Sequence, residues 1–217
     1  MTTDPLWARA RPTETDARGA LVAAILVGGA STRYGRDKAR ETLGGVRWWQ
    51  RVADAAAPVA DRVVVVGVRD DVSFVHPDVV SVPDICPGEG PLQALLSVWM
   101  RYPECDVLLL PCDVPLIHAS ALRVLAQTLA PDRLARVLRL GGRTTPIPGF
   151  YRAAAAPHAA KAWAGGRRSL HALVTALPVQ YLEAEQMRVD GVDPRAFQDA
   201  DTPAAFDELL ASRVVAP

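Results

Sequence analysis

Buried strands alternating with amphipathic helices predict an α/β fold built on a mostly parallel sheet. A continuous apolar run, Leu21 to Val27, ends in two glycines, and runs of the same unbroken character recur at 63–66 and 107–110, with helical periodicity between them. Runs without polar alternation belong to strands covered on both faces, which is the situation of a parallel sheet. Their alternation with helices is the βαβ pattern.

The elements follow in order. Residues 1–18 carry Pro5, Pro12 and mixed charges without apolar periodicity and read as a loose N-terminal arm, leaving 19–217 as one domain. After the first strand, Val46, Trp49, Val52, Ala53 and Ala56 fall on one face of a helix that Pro58 ends. The adjacent Trp48 and Trp49 read as core and interface. Strands are predicted at 63–66 and 79–82, followed by a turn-rich segment from Pro83 to Pro91. A helix carrying Leu92, Leu95, Leu96 and Trp99 leads to the strand at 107–110, and another helix is predicted from 119 to 130. The rhythm then breaks. LARVLRL and RTTPIPGFYR, joined by Gly141 and Gly142, read as a hairpin laid over the sheet. Helices at 153–164 and 168–177, a strand at 178–182, and a last helix capped by Thr202 with Pro203 at its first position complete the chain.

Composition narrows the function classes. Lys plus Arg and Asp plus Glu stand at 24 each, so no overall field recruits nucleic acid or an anionic membrane, and any phosphate site must be local. Cys86, Cys105 and Cys112 form no CxxC pair, which fits a reducing cytoplasm better than a disulfide framework or a cysteine zinc site. The four histidines, His76, His118, His158 and His171, lack metal-pair spacing. The run from Ala20 to Val27 is too short for a membrane span, and charged sequence follows it.

The densest chemistry is LVGGASTRYGRDKA, residues 26–39, at the carboxyl end of the first strand, where open parallel sheets bind ligands. Gly28 and Gly29 let successive backbone N–H groups face an anion, and Arg33 and Lys38 add a forked and a point cation. The loop suits a polyphosphate. It matches neither G-x-x-x-x-G-K-[ST] nor G-x-G-x-x-G, and the plain alternative is a glycine turn before a charged surface stretch. In LLLPCDVPLI, residues 108–117, Asp113 follows a strand and offers a hard oxygen ligand suited to Mg²⁺, although a lone aspartate there is also a common turn former. Cys112 reads as packing, since no histidine partner is indicated.

The first loop resembles L-A-G-G-x-S-x-R-M-G-x-D-K of the nucleotidyltransferase family that includes molybdenum cofactor guanylyltransferase. Leu26, Gly28, Gly29, Ser31, Arg33, Gly35, Asp37 and Lys38 match, while Val27 and Tyr34 depart from it. Cys112, Asp113 and Pro115 match the family's C-D-x-P, and Asp84, Gly90, Pro91 and Leu92 correspond to its D-x(n)-G-P-L stretch, with Gln93-Ala94 where Ala-Gly is common. Asp199, Asp201, Thr202 and Pro203 match its D-x-D-T-P variant, and residues 144–152 and 165–174 resemble its acceptor-side region. The asparagine usual after the second strand is replaced by Val66 or Gly67, which removes a base-contacting side chain.

The resemblance implies a doubly wound, Rossmann-like α/β sheet of the nucleotide-diphospho-sugar transferase type. It implies transfer of GMP from GTP to the phosphate of molybdopterin or Mo-molybdopterin, with Mg²⁺ as cofactor, and allows for transient contact with cofactor-delivery or acceptor proteins. The nucleotide-binding set it implies is Leu26, Val27, Gly28, Gly29, Ser31, Arg33, Lys38, Asp84, Gly90, Pro91 and Asp113, with Lys38, Arg33 and Asp113 catalytic and Asp113 and Asp201 as metal ligands. For Asp199 and Asp201 a helix-capping role competes with metal binding. Two other readings stay open: a relative that uses CTP or another phosphorylated acceptor, and a catalytically idle nucleotide-binding module. The double glycine, GPL and CDxP favour the guanylyl branch, and intact Lys38 and Asp113 argue against the idle module.

Overall fold

The computed structural model describes residues 20–27, 42–43, 45–67 and 79–200. The N-terminal arm, most of the glycine loop and everything from Asp201 onward lie outside the described residues.

The apolar runs form the strands expected of them. β1 spans Leu21–Leu26, β4 Arg62–Val66, β5 Val79–Val82 and β6 Asp106–Pro111. The four lie parallel in the order β5-β4-β1-β6. β1 is buried on both faces because its alternate residues serve two cores. Ala23 and Ile25 pack with one layer, and Val22 and Ala24 with the other. This is the doubly wound, mostly parallel sheet of the nucleotide-diphospho-sugar transferase fold. A small antiparallel pair, β2 (Thr42–Leu43) with β3 (Val46–Arg47), precedes the first helix.

Helices cover both faces. α1 (Trp48–Ala56) and α3 (Ala119–Leu125) bury Trp49, Val52, Leu122 and Leu125 against the Ile25 side. α2 (Pro91–Arg101), α4 (Ala156–Ala164) and α5 (Leu170–Ala176) bury Leu95, Val98, Ala159 and Leu173 against the other. Trp48 and Trp49 are both fully buried, in agreement with the core role.

The hairpin corrects the sequence reading. β7 (Ala135–Leu140) and β8 (Arg143–Tyr151) turn through Gly141 and Gly142, both at positive φ, but the pair does not lie over the sheet. β8 enters it, antiparallel to both β6 and β7, and β9 (Val179–Glu183) closes the far edge parallel to β7, in the full order β5-β4-β1-β6-β8-β7-β9. The reason is pairing. The backbone groups of β6 on the side away from β1 need partners, and β8 supplies them from Gly149 to Tyr151. β8 bulges between its two partners, and there the buried Tyr151 hydroxyl donates to the Pro146 carbonyl at 2.7 Å. Burial raises the pKa of Tyr151, so it stays a neutral donor.

The helix expected over 119–130 also ends early, at Leu125. Arg136, buried on β7, takes over its last carbonyls. The guanidinium donates to the carbonyls of Val124, Leu125, Gln127 and Thr128 and to Gln180 Oε1 on β9. One forked cation thus satisfies a helix end and ties α3 to two strands. α6 (Ala184–Val189) and a 3-10 turn at Pro194–Phe197, which periodicity did not reveal, follow β9 and bury Met187 and Phe197 on the α1 and α3 side.

A lysine's single ammonium cannot reproduce this fork. Arg136→Lys is therefore expected to lower unfolding free energy by about 2 kcal/mol, read as a drop in urea midpoint at unchanged m-value.

Candidate active site

Strand direction decides what meets at one edge. β1, β4, β5, β6, β7 and β9 share one direction and β8 opposes them. The carboxyl edge therefore collects the chain after Val27, the loop 83–90, residues 112–118, the Gly141-Gly142 turn, the α4–α5 link and the chain after β9.

Leu26 stands directly opposite Pro111 in the β1–β6 register, so the glycine loop and Asp113 leave the sheet from neighbouring strands. Val27 is anchored by its N–H to the Val66 carbonyl at 3.0 Å. Gly28, Gly29, Ser31, Arg33 and Lys38 lie outside the described residues. Asp113 is half-buried, with Val114, Pro115, Leu116 and Ile117 buried behind it. The Ala200 N–H donates to the Asp113 carbonyl at 2.9 Å. That bond joins the two acidic motifs, which are remote in sequence. Asp201 itself is outside the described residues, Asp199 is exposed and Ala200 fully buried.

Asp84, just past β5, organises its own loop. Its Oδ1 accepts from the Cys86 N–H at 3.3 Å and lies 3.4 Å from the Ser97 hydroxyl. Ser97, buried on α2, accepts from the Ile85 N–H at 3.1 Å and sits 3.0 Å from the Gln93 carbonyl. Gln93, one of the two departures in the Gly90-Pro91-Leu92 stretch, is buried beside Ser97 and supports this network. Gly90 caps α2 at φ 93°, a conformation L side chains rarely adopt, with Pro91 at the first helical position. Val66 is buried in the core, and Gly67 past it has φ 80° and no side chain, so neither replaces the missing asparagine toward a base.

The motifs by themselves did not reveal a link across this edge. Glu89 pairs with Arg168 at 2.7 Å, and the Arg168 guanidinium stacks on Trp163 at 4.1 Å from the ring centroid. The loop before α2 is thereby tied to the α4–α5 link. The available signal was the Gly165-Gly166-Arg167-Arg168 run, whose spacing does not name a partner.

The MobA-like NTP transferase domain model matches residues 23–181, most of the chain, from within β1 into β9. The chain belongs to this family. Among its relatives, a probable molybdenum cofactor guanylyltransferase of Synechococcus elongatus is 34% identical over 170 residues, covering 74% of this chain and 86% of the relative. One of the same description from Carboxydothermus hydrogenoformans is 27% identical over 190 residues, covering 88% and 95%. A similar fold is seen in molybdopterin-guanine dinucleotide biosynthesis protein A from Archaeoglobus fulgidus, with TM-score 0.72 at 20% identity over 88% of this chain and 99% of that one. The family is one of nucleotidyltransferases. Among the described residues no helix is long and apolar enough to cross a membrane.

Burial holds the Asp84 carboxyl above its ordinary pKa, outweighing the hydrogen bonds that lower it. A raised folded-state pKa favours the protonated form in the fold, so that contribution is complete below the unfolded value and is lost as pH rises through the folded one. Asp84→Asn keeps an acceptor without the charge. Its melting temperature relative to wild type should therefore rise between about pH 3 and pH 7, followed by thermal unfolding across that range.

Proposed function

We propose that this chain transfers GMP from GTP to the terminal phosphate of molybdopterin or Mo-molybdopterin, releasing pyrophosphate. The carrying observation is the β1–β6 register, which sets the exit to the glycine loop beside the exit to Asp113. The names of the two curated relatives support the base and the acceptor.

In this reading an oxygen of the acceptor phosphate attacks the α-phosphorus of GTP. The bond from that phosphorus to the bridging oxygen breaks, and its electron pair leaves with pyrophosphate. The acceptor is the nucleophile, so no covalent enzyme intermediate forms. Backbone N–H groups at Gly28 and Gly29, with Arg33 and Lys38, hold the triphosphate and oppose its charge as the leaving group departs. Leu26, Val27, Ser31, Asp84, Gly90 and Pro91 complete the nucleotide side.

The donor set fits a hard divalent cation. Asp113 supplies a carboxylate at the sheet edge, and the hydrogen bond from the Ala200 N–H, one residue before Asp201 in the chain, to the Asp113 carbonyl supports a shared role for the two aspartates. Asp113 and Asp201 would hold Mg²⁺, which would supply positive charge against the triphosphate oxygens. The three cysteines, with no CxxC pair, suit a cytoplasmic setting.

GTP with Mg²⁺ should raise the melting temperature more than CTP with Mg²⁺ does. Because Val66 and Gly67 bring no polar side chain to the base, this comparison is decisive, and an equal or larger CTP shift moves the protein to the cytidylyl branch. If Asp113 and Asp201 share one ion, Asp113→Asn and Asp201→Asn each raise the Mg²⁺ concentration needed for pyrophosphate release, and the double variant costs less than the sum. Additive effects, or a wild-type metal requirement for Asp201→Asn, would leave Asp113 as the sole protein ligand.

A further inference from the structure

On the far side of Asp113 from β1, three strands carry an aligned row of polar side chains that the proposed chemistry does not use. Arg139 on β7 is paired with Thr144 on β8 and with Glu183 on β9. Directly opposed residues share a face of a sheet. This one is the face covered by α4 and α5, since Val137 and Tyr181, two positions earlier in the β7–β9 register and so on the same face, belong to that core. All three residues stand where their strands meet the carboxyl edge, so from Asp113 outward the order is Thr144, Arg139, Glu183.

The arginine is held flat. Its guanidinium carbon lies 3.3 Å from the centroid of the Tyr181 ring, and Nη1 is 3.4 Å from Glu183 Oε1. The side chains of Arg139 and Glu183 are 36% and 49% exposed. An ion pair so open to water adds little to stability. What the stack does provide is a preorganised planar cation with one face on Tyr181, beside a carboxylate accessible to solvent.

We propose that this row recognises the pterin ring of the acceptor, an inference that rests on the reading of the protein as a molybdopterin-dependent transferase. A pterin is planar and electron-rich, and its 2-amino group and ring N3–H form a parallel donor pair. A carboxylate accepts such a pair through both oxygens, and Glu183, exposed at the sheet edge with only Oε1 turned to Arg139, keeps lone pairs on both for it, while the Arg139 guanidinium meets the ring or its 4-oxo group. Position separates this role from that of the nucleotide. The glycine loop follows β1 and the Asp84 loop follows β5, both on the other side of β6. Strands about 4.8 Å apart put β7 about 10 Å from β6. The acceptor ring therefore sits away from the reacting phosphorus while its phosphate reaches toward Asp113. Arg139 and Glu183 bind and position the acceptor and take no part in bond making.

Neopterin serves as a probe, since it carries the same ring edge and its fluorescence reports binding without turnover. Titrated with the full chain, it should bind wild type, and Glu183→Gln and Arg139→Leu should each weaken it about tenfold. The melting-temperature shift with GTP should not change in either variant, and saturating GTP should not displace the probe. In turnover with molybdopterin, both variants should raise KM for that substrate while KM for GTP stays constant, a split that loss of structure does not produce. Absence of neopterin binding to wild type, equal binding by both variants, or displacement by GTP each overturns the proposal. Failure of GTP to stabilise the protein, with neopterin binding still dependent on Glu183, refutes the guanylyl reading and leaves the pterin site standing.

Discussion

The parallel pairing of β1 with β6 is the constraint on which the rest of the site depends. β1 lies inside the sheet with parallel partners on both sides, and Leu26 opposite Pro111 fixes where its chain emerges. Every residue of that strand is committed, half to each core, so neither its register nor its facing can slip without turning apolar side chains into the wrong layer. A phosphate-binding loop needs backbone N–H groups aimed at one point. Rigid strands on both sides are what give such a loop a defined origin.

Around that origin the molecule braces its loops with polar contacts. Asp84 and Ser97 tie the loop before α2 to the helix it precedes, Glu89 and Arg168 tie the same loop to the α4–α5 link, and the Ala200 N–H ties the C-terminal segment to Asp113. These contacts differ in what they do. The Asp84 network is partly desolvated and holds a carboxyl group above its ordinary pKa, whereas the Glu89–Arg168 pair is open to water and screened. The first sets the loop's shape. The second records which two loops are neighbours.

In the proposed reading the antiparallel strand β8 separates two halves of the sheet with different tasks. On one side β5, β4 and β1 carry the loops that suit a nucleotide, and on the other β7 and β9 present Arg139, Tyr181 and Glu183. Asp113 stands at the boundary, two residues past the end of β6. A transferase that joins two phosphates needs this kind of separation, because each substrate brings its own negative charge and the two must meet only at the reacting atoms.

The residue pattern alone determined the alternating strands and helices and the parallel central sheet, and it singled out the motifs around Lys38 and Asp113 as candidates, since each depends on local periodicity or on a short spacing. The buried place of Trp49 was legible for the same reason, since it falls on the apolar face predicted for α1. Tertiary structure decided the rest. The sequence shows that β7 and β8 form a hairpin but not that β8 inserts beside β6, because strand partners are chosen by unpaired backbone groups that any sequence presents alike. It marks Asp113 and the 199–203 motif as acidic but not as neighbours, because the bond from Ala200 to Asp113 is between backbone atoms and leaves no trace in residue type. Thr144 falls in a stretch that resembles the family's acceptor side while Arg139 and Glu183 belong to no motif, and only the register of three strands sets them side by side.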